Sequence, residues 1–289
     1  MTILALALVL ASALIHATWN LLAKRAGSAG GGAAFVWLAN ALAVLCYAPP
    51  AATIALIQRP HLGLFEAVAV AGSAALQLGY FLLLQRAYRT GDLSLVYPLA
   101  RGSGPVLATG AAVLLLGERP TVVSLAGALL IAGGVVVLVG DPRRLRQTAT
   151  APAAADALLT GAFIAGYTLW DKYAVAVLLI PPLLMHWATL AGMTVLLSPL
   201  ALRRWKVVRV AWDVHGRAAL LVGLLSPLSY ILVLTALSFT PVSYVAPARE
   251  IGILIGTLMG SRILAEGETK RRLAAAGAMV LGVIALAVG

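Results

Sequence analysis

Tyr97-Pro98-Leu99-Ala100-Arg101-Gly102 lies near the start of an apolar run at residues 93–116, and a second copy, Ala246-Pro247-Ala248-Arg249-Glu250-Ile251, lies in the run at 242–264. Each run is long enough to cross a bilayer, which takes about 20 helical residues. Each proline removes a backbone donor, so we expect an interrupted helix there. An arginine at membrane depth costs about 2.5–3.5 kcal/mol on insertion scales and usually faces a cavity or a partner. Interrupted helices at matching places in two halves of a membrane protein indicate a transport site.

The composition is that of an integral membrane protein. Of 289 residues, 62% are hydrophobic and only 11% are charged, whereas soluble domains average about 25% charged. Mean hydropathy is +0.98, and the length suits roughly ten spans with short loops and no additional soluble domain. The formal charge of +11 does not indicate nucleic-acid binding, because the basic residues lie in short loops between apolar runs, where they set membrane orientation.

The apolar pattern predicts an all-α protein with ten transmembrane helices. A polar linker at 141–155 separates a first five-helix repeat at 1–140 from a second at 156–289. The expected spans lie at about 2–23, 33–57, 62–84, 93–116, 121–140, 156–173, 181–202, 218–239, 242–264 and 273–288. The longest later loop is expected to hold five basic residues: Arg203, Arg204, Lys206, Arg209 and Arg217.

The second half repeats features of the first in the same order, at offsets of 148 to 150 residues. The recurring pairs are Trp19-Asn20 with Tyr167-Thr168, Tyr80 with Tyr230, Ser94 and Pro98 with Ser243 and Pro247, and Gly117-Glu118 with Gly267-Glu268. Because five spans per half is an odd number, the second half enters the membrane in the opposite sense. The sequence therefore predicts two inverted repeats.

The distribution of basic residues predicts the orientation. Of 21 Lys and Arg residues, 16 lie in the loops after spans 1, 3, 5, 7 and 9, three lie in the other loops, and Arg101 and Arg249 lie within spans. The side rich in basic residues is expected to be cytoplasmic. Both termini would then face the periplasm or exterior of a bacterial-type inner membrane.

These features resemble the drug/metabolite transporter superfamily, in particular its ten-span EamA-type branch. The residues that carry the resemblance are Pro98 and Gly117-Glu118-Arg119-Pro120 in the first half, and Pro247 and Glu266-Gly267-Glu268 in the second. The resemblance covers the whole chain and implies alternating access around a central cavity. Some relatives export amino acids, and others move sugars, nucleotide sugars or drugs. No motif ties the chain to one of these substrates.

Polar and aromatic side chains within the spans are the candidate substrate-binding residues, because buried polar groups are costly in lipid and need a reason. The alternative for each is structural packing between helices. The candidates are His16, Trp19, Asn20, Gln77, Tyr80, Tyr97, Arg101, Tyr167, Trp170, Ser226, Tyr230, Tyr244, Arg249 and Glu250.

Arg101, Arg249 and Glu250 are the most specific of these candidates. When the two halves are aligned on their prolines, Arg101 corresponds to Glu250, so the two could meet across the pseudo-twofold axis. An arginine for a carboxylate and Glu250 for an ammonium would suit a zwitterion. The alternative is a structural ion pair that locks the halves together. Glu250 could also exchange a proton coupled to transport.

The sequence contains no nucleotide-binding, metal-binding or nucleophile motif, so we expect neither a cofactor nor a catalytic site. The leading hypothesis is a monomeric secondary transporter that exports amino acids or similar small amphipathic metabolites. Uptake or exchange of sugars, nucleotide sugars or drugs is the alternative. A lipid-modifying enzyme using His16 or His186 as a base would not explain the inverted repeat.

Overall fold

The computed structural model describes residues 1–27, 32–61, 63–90, 93–139, 151–255 and 269–289. The backbone is all-α within these ranges, as the sequence predicts. Six helices contain segments long and apolar enough to cross a membrane, and shorter apolar segments lie at Leu99–Leu115, Val122–Val137 and Leu273–Val288. The helices are α1 Ile3–Gly27, α2 Gly32–Gln58, α3 Leu64–Thr90, α4 Leu93–Leu115, α5 Val122–Val139, α6 Ala151–Ala176, α7 Pro182–Arg203, α8 Trp205–Phe239, α9 Val242–Arg249 and α10 Thr269–Val288.

The helices of one half pack against those of the other in a reciprocal pattern. In the first half α1 lies against α8, and its counterpart α6 lies against α3, the counterpart of α8. Likewise α4 packs on α6 and α9 packs on α1, while α2 with α7 and α5 with α10 pair with their own counterparts. This exchange is what a twofold relation between the halves requires.

One end of the bundle, here called the termini face, carries both chain ends and the connections after α2, α4, α6 and α8. The N-terminal amine lies 3.5 Å from the carbonyl oxygen of Leu286. Glu118, after α4, contacts the first residues of α9. The connection after the fourth helix of one half therefore meets the connection after the third helix of the other. Two halves inserted in the same sense could not bring these together, so the repeats are inverted.

Close backbone contact joins α5 to α10. A Cβ atom added to Gly127 would lie 2.7 Å from the carbonyl oxygen of Gly282, and one added to Gly282 would lie 2.7 Å from that of Gly127. In lipid, where packing rather than hydrophobicity drives helix association, small residues allow this approach.

Two predictions about the proline-containing helices meet different outcomes. Backbone hydrogen bonding continues through Pro98, so α4 is not interrupted there as expected. The second copy is interrupted, since α9 ends at Arg249, Glu250 forms a turn, and helical backbone resumes at 251–255. Pro98 lies in the second turn of α4, where a missing donor costs little regular structure.

Two expected boundaries are wrong. Helix α6 begins at Ala151, so the last five residues of the predicted linker at 141–155 are helical, and 141–150 lie outside the described residues. Helix α8 begins at Trp205, so most of the predicted loop at 203–217 is helical. Charged residues made both segments look like loops, but the apolar residues between them pack on the bundle.

Candidate functional site

An ion pair joins the two repeats near the middle of the bundle. Nη1 of Arg101, on α4, lies 3.9 Å from Oε1 of Glu250, and both side chains are largely buried. Nη2 of Arg101 also lies 3.3 Å from Nε2 of His16 on α1. The sequence relation between Arg101 and Glu250 across the pseudo-twofold is therefore a spatial contact.

Glu250 reaches this position because the helix breaks beside it. Its backbone N–H donates to the carbonyl of Pro247 at 3.0 Å, closing a tight turn, and its own carbonyl accepts from Ile253 at 2.9 Å. A continuous helix would point consecutive residues about 100° apart. The turn instead lets Arg249 and Glu250 border the same narrow cleft.

The cleft is constricted. Free space within it amounts to about 10 Å³, roughly the room that one water molecule needs. A larger solute would therefore enter only after the helices around it separate. The lining residues are Ser12, Ala13, His16, Arg101, Arg249, Glu250 and Ile253.

A second buried carboxylate lies on α6. Oδ2 of Asp171 accepts hydrogen bonds from the hydroxyl of Tyr230 at 2.6 Å and from Nε2 of Gln77 at 3.2 Å. Nε2 of Gln77 also lies 3.1 Å from Oγ of Ser73. Only 1% of Asp171 is exposed, so the carboxylate depends on these donors from α3 and α8.

Aromatic rings connect the two carboxylate groups. Tyr167 stands edge-on to Tyr80 at a centroid distance of 5.9 Å and to Tyr230 at 6.1 Å. His186 lies 4.8 Å from the Tyr230 ring, and Cζ of Arg249 lies 5.3 Å from its centroid, within reach of a cation–π contact. Tyr230 thus touches a carboxylate through its hydroxyl and a guanidinium through its ring.

Three buried polar atoms of this region have no hydrogen-bond partner among the described residues. They are Oδ1 of Asp171, Oε2 of Glu250 and Nδ1 of His186. Buried polar atoms are nearly always hydrogen-bonded in folded proteins. Atoms left open at the centre of the bundle are therefore ready to bond groups of a bound solute or water.

Most of the candidates chosen from sequence lie in this region, which we call the central cluster. Those that the structure brings together are His16, Gln77, Tyr80, Arg101, Tyr167, Tyr230, Arg249 and Glu250. Trp19 is adjacent, with its ring edge-on to His16 at 4.9 Å, but packs against the apolar cluster that includes Phe35.

Four other candidates lie apart from the central cluster, and one is outside the described side chains. Asn20 is exposed, and Trp170 is 36% exposed and donates to the carbonyl of Ala69 at 2.7 Å, which ties α6 to α3. The Tyr244 hydroxyl reaches the carbonyl of Gly289 at the termini face. Ser226 is half-buried one turn from Tyr230. The side chain of Tyr97 lies outside the described part.

Sequence reasoning missed Asp171 and His186 as members of the cluster. A carboxylate in the middle of an apolar span carries a functional signal of its own, and that signal was available for Asp171. His186 gave less, because a lone histidine in a helical bundle is usually satisfied by a neighbour. Its packing against Tyr230 depends on how α7 and α8 meet.

The termini face is closed by charged contacts between the halves. Oε1 and Oε2 of Glu118 accept hydrogen bonds from the backbone N–H groups of Val242 at 2.7 Å and Ser243 at 2.9 Å. These are the first N–H groups of α9, where a carboxylate is favoured by the helix dipole. Nζ of Lys172 donates to the carbonyls of Leu237 and Thr240 at the end of α8, at 2.7 and 3.2 Å. We call these contacts the latch.

Comparison with known proteins yields one family and one fold. The sequence pattern of the EamA-like transporter family matches residues 3–140 and again residues 153–288. No curated protein matches the chain. A solved structure titled "Crystal structure of protein" superposes with a TM-score of 0.75 over 98% of this chain and 96% of its own, at 15% identity, which shows a shared fold.

Proposed function

Because the chain belongs to the EamA-like transporter family and is a multi-pass membrane transporter, we propose that it is a secondary carrier exporting amino acids or similar small amphipathic metabolites. The membrane would be a bacterial-type inner membrane, with both termini outside. The sequence contains no nucleotide-binding motif, so an ion gradient or solute exchange would supply the energy.

One observation carries the choice of substrate: the charges of the central cluster are balanced and lie beside aromatic rings. Arg101 and Glu250 pair with each other at 3.9 Å. Asp171 and Arg249 instead contact different parts of Tyr230, and Oδ1 of Asp171 is open among the described groups. A zwitterion fits this arrangement, because its ammonium would bond Asp171 and its carboxylate would bond Arg249.

The tyrosines account for an amphipathic rather than a purely polar solute. Tyr80, Tyr167 and Tyr230 form a continuous row, with centroid distances near 6 Å. An apolar side chain placed against them would be removed from water, a gain of about 25 cal/mol per Å² of apolar surface. A solute with two opposite charges and an apolar group would use every part of the site.

Alternating access follows from the constriction at the centre and the latch at one end. With about 10 Å³ of free space at the ion pair, the solute must enter while the halves are separated on one face. It would leave after that face closes and the other opens. The inverted repeat makes the two arrangements nearly equivalent in packing, which allows both to be populated.

The experiment is flux of radiolabelled amino acids in proteoliposomes containing the wild-type chain, Asp171→Asn, Arg249→Ala or Glu250→Gln. Asp213→Asn is the matched control, because Asp213 is an exposed carboxylate at the far end of α8. We expect Asp171→Asn and Arg249→Ala to reduce flux at least tenfold, because each removes a partner of a solute charge. Wild-type flux in both would refute the assignment of the site, and absence of amino-acid flux in the wild type would refute the substrate class.

A further inference from the structure

The first ten residues of α8 form a segment distinct from the span that follows. At about 1.5 Å per residue, the 35 residues of α8 would extend well beyond a hydrocarbon core about 30 Å thick. The backbone leaves helical geometry at His215, with φ −128° and ψ 15°. Residues 205–214, which we call the basic segment, therefore end at a kink before the spanning part begins.

The basic segment lies at the end of the bundle opposite the termini face. Helix α8 reaches the termini face at Phe239, so its first residues lie at the other end. One side of the segment is fixed to the protein, since Val208 and Ala211 are buried, Ala211 in the cluster containing Phe35. Trp205 is edge-on to Trp37 of α2 at 6.3 Å.

The remaining surface of the segment is divided by chemistry. At 100° per residue, Lys206, Arg209 and Asp213 share one stripe, and all three are exposed. Beside that stripe, Val207, Val210 and Val214 form an apolar one, with exposed fractions of 42%, 60% and 63%. On its other side Trp212 is 50% exposed. An isolated soluble surface would not leave these apolar residues open next to a basic stripe.

We propose that the basic segment lies in the lipid–water interface and binds the headgroups of anionic phospholipids. Its apolar stripe and Trp212 would enter the headgroup region, as aromatic and amphipathic helices do at this depth. Lys206 and Arg209, with Arg203, Arg204 and Arg217 nearby, would contact the phosphates. Asp213 is the one acidic residue between positions 203 and 217.

The position of the segment selects lipid as the partner. Residues immediately after the kink enter the bilayer, so the segment is held at its surface without any further binding event. Each basic residue near an anionic surface favours association by about fivefold. Binding to lipid would also hold the start of α8 against α2, which makes this site separate from the one that binds the transported solute.

The test uses the full-length protein in phosphatidylcholine vesicles that contain equal fractions of either brominated phosphatidylglycerol or brominated phosphatidylcholine. Bromine quenches nearby tryptophan, and the contribution of Trp212 is obtained by subtracting the emission of Trp212→Phe. We expect the anionic brominated lipid to quench Trp212 at least twofold more than the neutral one. Lys206→Gln/Arg209→Gln should abolish the difference between the lipids.

The matched control is Arg59→Gln/Arg119→Gln, which removes two exposed charges from the termini face and should leave the preference intact. Circular dichroism and size-exclusion chromatography verify that each variant is folded. Equal quenching of the wild type by both lipids, or an unchanged preference in Lys206→Gln/Arg209→Gln, would overturn the proposal. Neither outcome depends on which solute the protein carries.

Discussion

Removing the carboxylate of Glu118 should open the termini face. Its oxygens accept two hydrogen bonds from the first N–H groups of α9, at 2.7 and 2.9 Å. Hydrogen bonds to a charged group contribute about 1.5–3 kcal/mol each, and water replaces part of that when the face opens. We therefore expect Glu118→Ala to shift the balance between closed and open forms by roughly 3 kcal/mol, about a 150-fold change in their ratio.

Distance measurements between spin labels provide the assay. Cys46 is the only cysteine, so Cys46→Ala gives a background in which Arg119→Cys and Phe239→Cys carry the labels. Both positions are exposed beside the latch, one in each half. In the latched chain the distances should cluster around one value, and Glu118→Ala should move much of the population to longer distances.

Glu66→Ala is the matched control for this measurement. Oε2 of Glu66 also accepts a backbone hydrogen bond, from Gly63 at 2.8 Å, but both residues belong to the same half. Its loss removes a carboxylate–backbone contact without releasing one half from the other. If Glu118→Ala and Glu66→Ala give the same distribution as the parent, the latch does not hold the face closed and the reasoning is wrong.

Two further predictions concern stability, measured by thermal unfolding in detergent. Gly282→Val should lower the free energy of unfolding by about 1–3 kcal/mol through overpacking, because a Cβ there meets the backbone of Gly127 at 2.7 Å. Gly277→Val should have a much smaller effect, since a Cβ at Gly277 has no atom within 4 Å among the described residues. Arg101→Ala should cost about 3–5 kcal/mol, because it leaves the buried Glu250 carboxylate without its ion-pair partner, and adding Glu250→Ala should recover part of that loss. Strictly additive losses in the double variant would show that the two side chains do not interact.

The architecture could be predicted from sequence because bilayer thickness and chain duplication leave few alternatives. Runs of about 20 apolar residues define spans, and five per half enforce inversion. The start of α8 was missed for the opposite reason. Residues 205–214 mix charges with valines and tryptophans, and their average composition resembles a loop although their spacing fits a helix.

The site was predictable where one residue's position sufficed. The alignment of Arg101 with Glu250 follows from the repeat, and the repeat axis brings them together. Contacts that depend on the rotation of one helix against another were beyond reach. Trp170 and Asp171 are neighbours in sequence, yet one anchors α6 to α3 near its outer surface and the other bonds Tyr230 inside.

The exchange of packing partners between the halves constrains how the protein is made. When the ribosome has completed the first repeat, α1 and α3 still lack α8 and α6, against which they pack in the finished molecule. Their polar inward groups, such as Ser12, which bonds Ser229 of α8 at 2.8 Å, must wait in lipid or beside an insertion factor until translation ends. Expressed as separate polypeptides, the two repeats should survive together and be degraded apart, because neither can complete its own interior.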